Sequence, residues 1–360
     1  PILLEHRVTR VVKDGARVIG IEAIHGDRTV RIKARRAVIF GSGGYAHNVE
    51  LVERHQPGLY GACAMPGSTG DFISIAGTAG ARMGTLGTAW RSQVVLEEAL
   101  ENRAIGLGAF VLPGDSMVLV NKYGKRIVNE KINYNDRTEV HFVYDPVAKE
   151  YPNRFQFMIF DERTLDAFGG AFPLPTDKKS YPYLIEGATL ADLASNITAR
   201  LQKIRSKIGV YALAPDFTST LQDTIARYNG YAKAGKDPEF DRGRYPYDAD
   251  WHAVFSPRRE GTKQPVNPMP DVTMHPLREN GPFYAIILGP GALDTCGGPS
   301  INEHAQVLDA DGHPIPGLYG AGNCIASPSG RTYYGAGHTI GMALTYGYIA
   351  GLHATGKQKA

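Results

Sequence analysis

The sequence predicts an α/β protein in which one glycine-rich α/β layer is interrupted by a region of mixed α+β structure. Three observations support this fold class. Glycine makes up 42 of the 360 residues, well above its usual share of about 7%. Its runs lie near both ends of the chain, at 41–44, 320–322 and 335–337, and the first two follow strand-like segments. The long stretch between them is richer in tyrosine, proline and charge.

The first 45 residues are predicted to be β structure. Short β-branched runs are separated by turn signals and lie at 2–4, 7–12, 17–24 and 29–32. The fully apolar run 37–40 predicts a strand buried on both faces. The glycines that follow at 41–44 allow a ligand to approach the backbone closely.

A helix is predicted after the segment 66–71, because small and apolar residues then recur at helical spacing. Thr69 and Asp71 are the candidate N-caps. The free amides at such a helix start favour an anion, although a well-capped structural helix explains the same pattern.

The middle of the chain, roughly 85–275, is predicted to form a separate domain. It contains a hairpin over 116–128, a buried strand at 155–160 and an amphipathic helix through 221–232. The stretch 235–251 and the prolines at 265–276 predict long surface connections.

Glycine-rich α/β structure returns from residue 281 and ends in a helix running to about residue 352. The motif that opens this helix, G-A-G-H-T-I-G, resembles a dinucleotide fingerprint. Its third glycine is one place late, however, and the preceding segment 328–334 is a loop and not a strand, so the Rossmann interpretation fails here. What remains is a helix N-terminus whose amides suit a polarised carbonyl or an anion.

Charge and cysteine content exclude several classes of function. The formal net charge is +3, and 39 basic and 36 acidic residues are spread along the chain without an extended basic patch, so we expect no nucleic-acid partner. The three cysteines and eleven histidines show neither disulfide nor metal-ligand spacing, and we expect no metal site. No apolar run approaches the roughly 20 residues of a membrane span, and we expect a cytoplasmic protein.

The order of the motifs resembles that of FAD-dependent flavoproteins in the superfamily of fumarate reductase, succinate dehydrogenase and the 3-ketosteroid dehydrogenases. The motifs are A-V-I-F-G-S-G-G-Y, S-T-G-D, N-K-Y-G-K-R-I-V-N-E, F-M-I-F-D, G-L-Y-G-A-G-N and G-A-G-H-T-I-G-M-A-L-T-Y-G-Y-I-A-G. The resemblance covers nearly the whole chain. It implies an incomplete FAD-binding domain of the Rossmann-like, glutathione-reductase type, interrupted by an inserted cap or substrate domain.

This resemblance places the first FAD-domain segment at 1–85, the cap domain at 86–278 and the returning FAD-domain segment at 279–360. It also implies that about the first third of the family's length, with its G-x-G-x-x-G strand and acidic ribose ligand, is absent from this sequence. The residues that it assigns to FAD are Val8, Gly41, Ser42, Gly43, Gly44, Thr69, Gly70, Asp71, Gly322, Asn323, Gly335, Ala336, Thr339 and Ile340.

Particular positions distinguish the branches of this superfamily. In fumarate reductases the segment N-E-x-x-x-R-D delivers a proton through its arginine, and Tyr134 occupies that place here. The substrate-carboxylate motif H-T-M-G-G is replaced by D-T-C-G-G, which begins at Asp294. Tyr334 replaces the second arginine of the clamp, with Arg331 nearby. Because a dicarboxylate needs several cations, we expect a neutral or weakly charged carbonyl substrate.

The 3-ketosteroid dehydrogenases are more similar, since their S-x-x-G-R-S-Y-P-G-A-G matches S-P-S-G-R-T-Y-Y-G-A-G at 327–337. The resemblance then implies that Tyr333 and the amide of Gly337 bind the ketone oxygen and stabilise the enolate. Tyr134 would take the α-proton, and N5 of FAD would take the β-hydride. Tyr334, His338 and Cys296 are the expected substrate-binding residues. Tyr334 stands where proline is usual and His338 where a small residue is usual, so both reshape the pocket.

The predicted function is FAD-dependent α,β-dehydrogenation of a hydrophobic, steroid-like cyclic ketone, with an external electron acceptor and the absent N-terminal FAD-binding segment as partners. One alternative is an enoate reductase of the fumarate class. Another is a non-catalytic fragment, or a subunit whose partner supplies the nucleotide-binding half. Structural roles explain several of these residues equally well: surface exposure for Tyr134, packing for Tyr333 and Tyr334, local hydrogen bonding for His338, and burial for Cys296.

Overall fold

The computed structural model describes residues 1–177, 181–254 and 267–357. Its strands are β1 (Arg7–Asp14), β2 (Arg17–His25), β3 (Arg28–Lys33), β4 (Val38–Phe40), β5 (Gly61–Ala62), β6 (Thr88–Val95), β7 (Met117–Val120), β8 (Gln156–Asp161), β9 (Ile185–Gly187), β10 (Phe283–Cys296), β11 (Gln306–Leu308) and β12 (Pro314–Gly320). Its α-helices are α1 (Val49–His55), α2 (Asp71–Thr78), α3 (Leu96–Glu101), α4 (Tyr134–Glu139), α5 (Glu162–Phe168), α6 (Leu190–Lys203), α7 (Arg205–Ile208), α8 (Phe217–Ala234), α9 (Pro246–Val254) and α10 (His338–Ala354).

The chain divides into two compact units. The first unit combines Pro1–Trp90 with Ala292–Ala360, and the second is the continuous stretch Arg91–Gly291. The sequence places the boundaries after Thr85 and Arg278 instead. The difference arises because β6 and β10 each run without a break from one unit into the other, so no turn signal marks the division.

Two small sheets form the first unit. The strands β1, β2 and β3 make an antiparallel meander, as the sequence predicts, whereas the predicted strand at 2–4 is absent and its side chains are exposed. In the second sheet β12 lies between β11 and β4, and its pairing with β4 is parallel. The prediction that 37–40 is buried on both faces is wrong for Ile39, which is 43% exposed, because described residues cover only one face of β4.

Helix α2 packs its apolar side into the core of the first unit. Phe72 stacks on Phe40 at a centroid distance of 4.1 Å, and both join Ile75 and Leu318 in one buried cluster. The helix begins after Gly70, which adopts a left-handed conformation with φ of +76° and supplies no side-chain cap. The prediction that Thr69 or Asp71 caps this helix is therefore wrong. The left-handed conformation at the N-cap position favours glycine, which has no Cβ and adopts it at little cost.

Helix α10 buries one side and exposes the other. Ala350 packs with Tyr319 in a small core cluster. Ile340, Leu344 and Tyr348, spaced four residues apart, are exposed on the other side. Among the residues described, no helix is both long enough and apolar enough to cross a bilayer.

The second unit is built on antiparallel β structure. Strand β8 lies between β7 and β10, with Met158 opposite Leu119 on one side and Ile286 on the other, and β9 pairs with β10. The predicted hairpin over 116–128 is reduced to β7 and a single bridge to Arg126. Helix α8 contains the predicted helix, and α9 occupies part of the stretch expected to be a surface connection.

A buried ion-pair network fixes the segment that leads to α4. Arg126 pairs with Glu130 at 2.8 Å and with Asp237 at 2.7 Å, and Arg242 approaches Glu130 at 3.3 Å. Burial would raise the pKa of Glu130, but the charges and hydrogen bonds of the two arginines lower it to about 2. The next residue, Lys131, is also buried, and its side-chain nitrogen donates to the carbonyls of Leu112 and Gly114.

Candidate active site

Four of the predicted FAD-binding residues line one cavity of the first unit. This cavity of about 450 Å³ lies at the start of α2, and the four are Val8, Thr69, Gly70 and Asp71. Asp71 accepts a hydrogen bond from Thr69 at 3.1 Å and pairs with Arg7 at 3.2 Å. The structure therefore brings together residues that lie in two separate segments of the sequence.

Part of the glycine-rich loop after β4 packs against other residues of the first unit. The N–H of Gly44 donates to Asp294 at 2.8 Å, and a Cβ at this position would overlap the backbone oxygen of Thr295. Gly43 has φ of +74°, and Ser42 hydrogen-bonds the buried thiol of Cys324. Only Gly41 in this loop has open space where a Cβ would stand. Packing against the end of β10 thus accounts for part of this glycine run.

Asp294 is the centre of a buried polar network that sequence reasoning did not identify. Its carboxylate accepts hydrogen bonds from the backbone of Gly44 at 2.8 Å and from the side-chain amide of Asn323 at 3.0 Å. Burial raises the pKa of Asp294, and these N–H donors oppose the rise. The oxygen of Asn323 accepts in turn from the indole N–H of Trp90 at 2.9 Å. Gly322, beside it, has φ of +75° and packs against Ala343.

The turn that opens α10 gathers the predicted ketone-binding residues of the first unit. His338 lies edge-on to Trp90 at 4.6 Å, and its ring is 5.3 Å from that of Tyr333 and 5.2 Å from that of Tyr334. Trp90 is fully buried, whereas Tyr334 is 76% exposed. Burial lowers the pKa of His338, whose Nε2 lies 3.3 Å from the hydroxyl of Ser329.

The backbone of this turn is open. Gly337 is the N-cap of α10 with φ of +92° and no side-chain cap, and a Cβ at Gly335 or Gly337 would meet nothing within 4 Å. Ala336 is exposed, Thr339 is half-buried and Ile340 is 63% exposed. The N–H of His338 donates to the carbonyl of Gly335 at 3.1 Å, and no side-chain cap takes up the other amides of the first turn, a situation that suits an anion or a carbonyl oxygen.

Cys296 lies in the core of the first unit. It is fully buried against Trp90 and Met342, and its thiol donates to the carbonyl of Ile325 at 3.5 Å. Burial raises the pKa of this thiol, which makes it unreactive at neutral pH.

Tyr134 belongs to the second unit, and its side chain is 4% exposed. It is the first residue of α4, and Asn133 caps this helix by accepting from the N–H of Asn135. The phenol ring lies 5.2 Å from that of Phe110 and 6.5 Å from that of Trp251. The interpretation of Tyr134 as a surface residue is therefore wrong.

A buried cation, which sequence reasoning missed, follows Tyr134 by one helical turn. Arg137 is fully buried, and its guanidinium donates to the carbonyls of Ala109 and Ile132 and to the side chain of Gln93. Burial lowers its pKa to about 10, so it remains charged at neutral pH. The same charge acts on Tyr247: burial raises the pKa of Tyr247 to about 12, and the positive charge of Arg137 opposes the rise.

The class of protein follows from a family comparison. Residues 1–340 match the model of the FAD binding domain family, and the chain belongs to that family. FAD is accordingly its cofactor, and the mixed α/β fold is that of FAD-binding flavoproteins, as the sequence predicts.

Two curated relatives refine this assignment. The chain is 35% identical over 347 residues to 4-oxocyclohexanecarboxylate 2-dehydrogenase of Sinomonas cyclohexanicum, covering 96% of this chain and 55% of that protein. It is 32% identical over 377 residues to 3-oxosteroid 1-dehydrogenase of Mycolicibacterium smegmatis, covering 98% of this chain and 58% of that protein.

A solved structure agrees with these relatives. The 3-ketosteroid delta1-dehydrogenase from Sterolibacterium denitrificans, in complex with 1,4-androstadiene-3,17-dione, superimposes with a TM-score of 0.81 at 27% identity. The match covers 99% of this chain and 60% of that one. The predicted resemblance to the 3-ketosteroid dehydrogenases is confirmed, and the chain spans between about 55% and 60% of the length of these relatives.

Proposed function

We propose that the chain carries the ketone-binding and proton-transfer residues of an FAD-dependent dehydrogenase, which introduces an α,β double bond into a cyclic ketone. The observation that carries this proposal is the open turn at the start of α10, where the ring of Tyr333 lies 5.3 Å from that of His338 and a Cβ at the preceding residue, Gly337, would meet nothing within 4 Å. The two curated relatives support it, because their names describe dehydrogenases of a cyclic oxo acid and of an oxosteroid.

The residues of the first unit fit FAD. The cavity at the start of α2 combines a helix N-terminus that has no side-chain cap with the ion pair of Arg7 and Asp71, polar groups that suit the polar part of a dinucleotide. Gly41, Gly335 and Gly337 leave open space beside the backbone, which suits the close approach of a flat ring system. When bound, FAD supplies the acceptor for the β-hydride.

Two hydrogen-bond donors would hold the ketone. The hydroxyl of Tyr333 and the N–H of Gly337 donate to the ketone oxygen and stabilise the negative charge that develops when the α-carbon loses its proton. An α C–H bond is acidic enough for a side-chain base only when this charge is stabilised. Tyr334 and His338 border the same turn and would limit the size of the ring that fits there.

Tyr134 would accept the α-proton on its phenolate oxygen. A phenol with an ordinary pKa near 10 is a poor base at neutral pH unless its anion is favoured. Arg137 lies one turn further along α4 and is a buried cation, and in this proposal its positive charge on the same helix favours the phenolate. Phe110 and Trp251 cover the ring of Tyr134, which restricts the phenol to few orientations.

In this proposal the Arg91–Gly291 unit acts as a cap domain inserted into a Rossmann-like FAD-binding domain. The discontinuous first unit, whose two segments enclose that stretch in the sequence, supports this arrangement. Turnover also requires an external electron acceptor.

The proposal is tested by purifying the chain and recording its absorption spectrum, followed by anaerobic addition of 4-oxocyclohexanecarboxylate or a 3-ketosteroid. We expect a flavin spectrum that is bleached by a cyclic ketone and restored by an artificial electron-accepting dye. A chain that takes up no FAD, or that instead oxidises a reduced dye with fumarate, would contradict it.

A further inference from the structure

We propose that Asp294, Asn323 and Trp90 form a positioning chain that fixes Tyr333 and His338 relative to the glycine-rich loop at 41–44. This inference rests on the proposed function, in which that loop approaches FAD and Tyr333 binds the ketone. None of the three residues touches the reacting atoms in that scheme. Their role is to hold the residues that do.

The chain begins at the glycine-rich loop. Gly44 donates its N–H to the carboxylate of Asp294 at 2.8 Å, and the next residue, Tyr45, donates to the hydroxyl of Thr295 at 2.6 Å. The loop is therefore attached at two successive residues to the end of β10. The absence of a Cβ at Gly44 allows this contact, since a side chain there would overlap Thr295.

The middle link has a defined direction. The amide nitrogen of Asn323 donates to Asp294 at 3.0 Å, and its oxygen accepts from the indole of Trp90 at 2.9 Å. A carboxylate only accepts and an indole N–H only donates, so the amide satisfies both neighbours in one orientation and neither in the flipped one. The hydrogen-bond network therefore assigns the orientation of this side chain.

The last link is the face of Trp90. The indole is fully buried, so it cannot move without disturbing the core around it. Its ring lies 4.6 Å from His338, in edge-on geometry, and 5.7 Å from Tyr333. Since both rings rest on one immobile surface, a shift of Trp90 displaces the phenol and the imidazole together.

The arrangement explains why an aspartate stands at the start of D-T-C-G-G. Four donors converge on its two oxygens: the backbone N–H groups of Gly44 and Thr295, the side-chain amide of Asn323 and the hydroxyl of Ser68. An ionised carboxylate accepts from all four, whereas a neutral amide at this position would direct its own NH₂ group against at least one of the three N–H donors.

Replacing Trp90→Phe keeps an aromatic surface but removes the N–H that holds Asn323. We expect kcat for the ketone to fall roughly 10–100-fold, as it does when a reacting group is misplaced by about 1 Å, while KM changes little because the displaced donor acts mainly in the transition state. The matched control is Tyr319→Phe, which removes another partly buried side-chain hydrogen bond of the first unit, that to His353, and should leave kcat unchanged.

A double-mutant cycle separates positioning from general damage to the fold. If Trp90 acts through Tyr333, then Trp90→Phe should cost less than about threefold once Tyr333→Phe is present, because coupled residues are not additive. An equal loss in both backgrounds would overturn the inference. The flavin spectrum and the unfolding midpoint of each variant are measured alongside, to show that the chain still folds and binds FAD.

A second measurement needs no turnover. The sequence has two tryptophans, so Trp251→Phe leaves the indole N–H of Trp90 as a single signal in a ¹H–¹⁵N spectrum. We expect Asp294→Asn to shift this signal, although Asp294 is bonded to Asn323 and not to the indole. An unmoved signal would overturn the inference. If the unaltered chain oxidises no ketone, the proposed function fails, and the NMR result alone then decides whether the chain of bonds exists.

Discussion

The two units hold their candidate residues in opposite ways. The first unit exposes backbone: the turn at Gly335–Gly337 is open, and Ile340 beside it is largely exposed. The second unit buries a side chain, Tyr134, and the segment that precedes it carries the buried ion pair of Arg126 and Glu130. Backbone donors need only glycine and a helix start, whereas a buried phenol needs a scaffold around it. Substitutions near Tyr134 should therefore affect folding, and those at the turn should affect chemistry.

The comparison is tested most strongly by two ion pairs with the same four-residue spacing. In the second unit Arg126 and Glu130 are fully buried, and in the first unit Glu50 and Arg54 are exposed. Glu130→Gln should lower the free energy of unfolding by about 3–5 kcal/mol because it leaves buried arginine charge uncompensated. Glu50→Gln should cost less than about 0.5 kcal/mol. Urea unfolding measures both, and equal effects would contradict the contrast.

The same network predicts loss of stability in acid. The folded-state pKa of Glu130 is about 2, below its ordinary value near 4.5, so its ionisation stabilises the fold above that ordinary value and the contribution is lost as pH falls towards 2. The unfolding midpoint measured across this range should drop more steeply for the unaltered chain than for Glu130→Gln. If the unfolding midpoints of the two proteins fall in parallel with pH, the ionisation of Glu130 does not cause the loss of stability in acid.

At the open turn we expect a chemical effect without a structural one. Tyr333→Phe should lower kcat roughly 100–1,000-fold, the usual effect of removing one donor to a developing oxyanion, with an unchanged flavin spectrum and unfolding midpoint. Tyr348→Phe is the control, because that side chain is 69% exposed on α10, the helix that follows the turn. A large stability loss in Tyr333→Phe would show that this tyrosine belongs to the packing of the unit.

The smallest expected effects are the changes in stability caused by replacing two glycines of the first unit. Gly44→Ala forces a methyl group against Thr295, and overpacking of this kind costs about 1–3 kcal/mol. Gly77→Ala, inside α2 with nothing within 4 Å of the new atom, should stabilise by about 0.5–1 kcal/mol. Thermal unfolding measures both variants: the midpoint should fall for Gly44→Ala and rise for Gly77→Ala. A destabilised Gly77→Ala would show that α2 is more crowded than the structure indicates.

Short sequence patterns correctly predicted the elements whose boundaries are set by neighbouring residues, such as turns and a helix start. The meander β1–β3 follows from β-branched runs around Gly15 and Gly26, both of which adopt positive φ, and the predicted start of α10 agrees with the structure because glycines precede it. The start of α2 could not be predicted in this way. Asp71 looks like a cap in sequence, but it pairs with Arg7, 64 positions away.

The same limit applies to the candidate site. Tyr134 and Tyr333 could be singled out by their motifs, but the support around each comes from distant residues. The hydrogen bond of Trp90 reaches Asn323 across 233 positions, and that of Gly44 reaches Asp294 across 250. Arg137 gave no signal because its partners are mostly backbone carbonyls, which no sequence pattern identifies.

The central claim, that Tyr134 removes the α-proton of a bound cyclic ketone, is tested most directly by the anaerobic rate of flavin bleaching in a single turnover. We expect Tyr134→Phe to slow bleaching by roughly 100–10,000-fold, the range for loss of a general base, with the flavin spectrum retained. Tyr245→Phe, at a half-exposed position of the same unit, should bleach at the unaltered rate. Bleaching by Tyr134→Phe at the rate of the unaltered chain would contradict the claim.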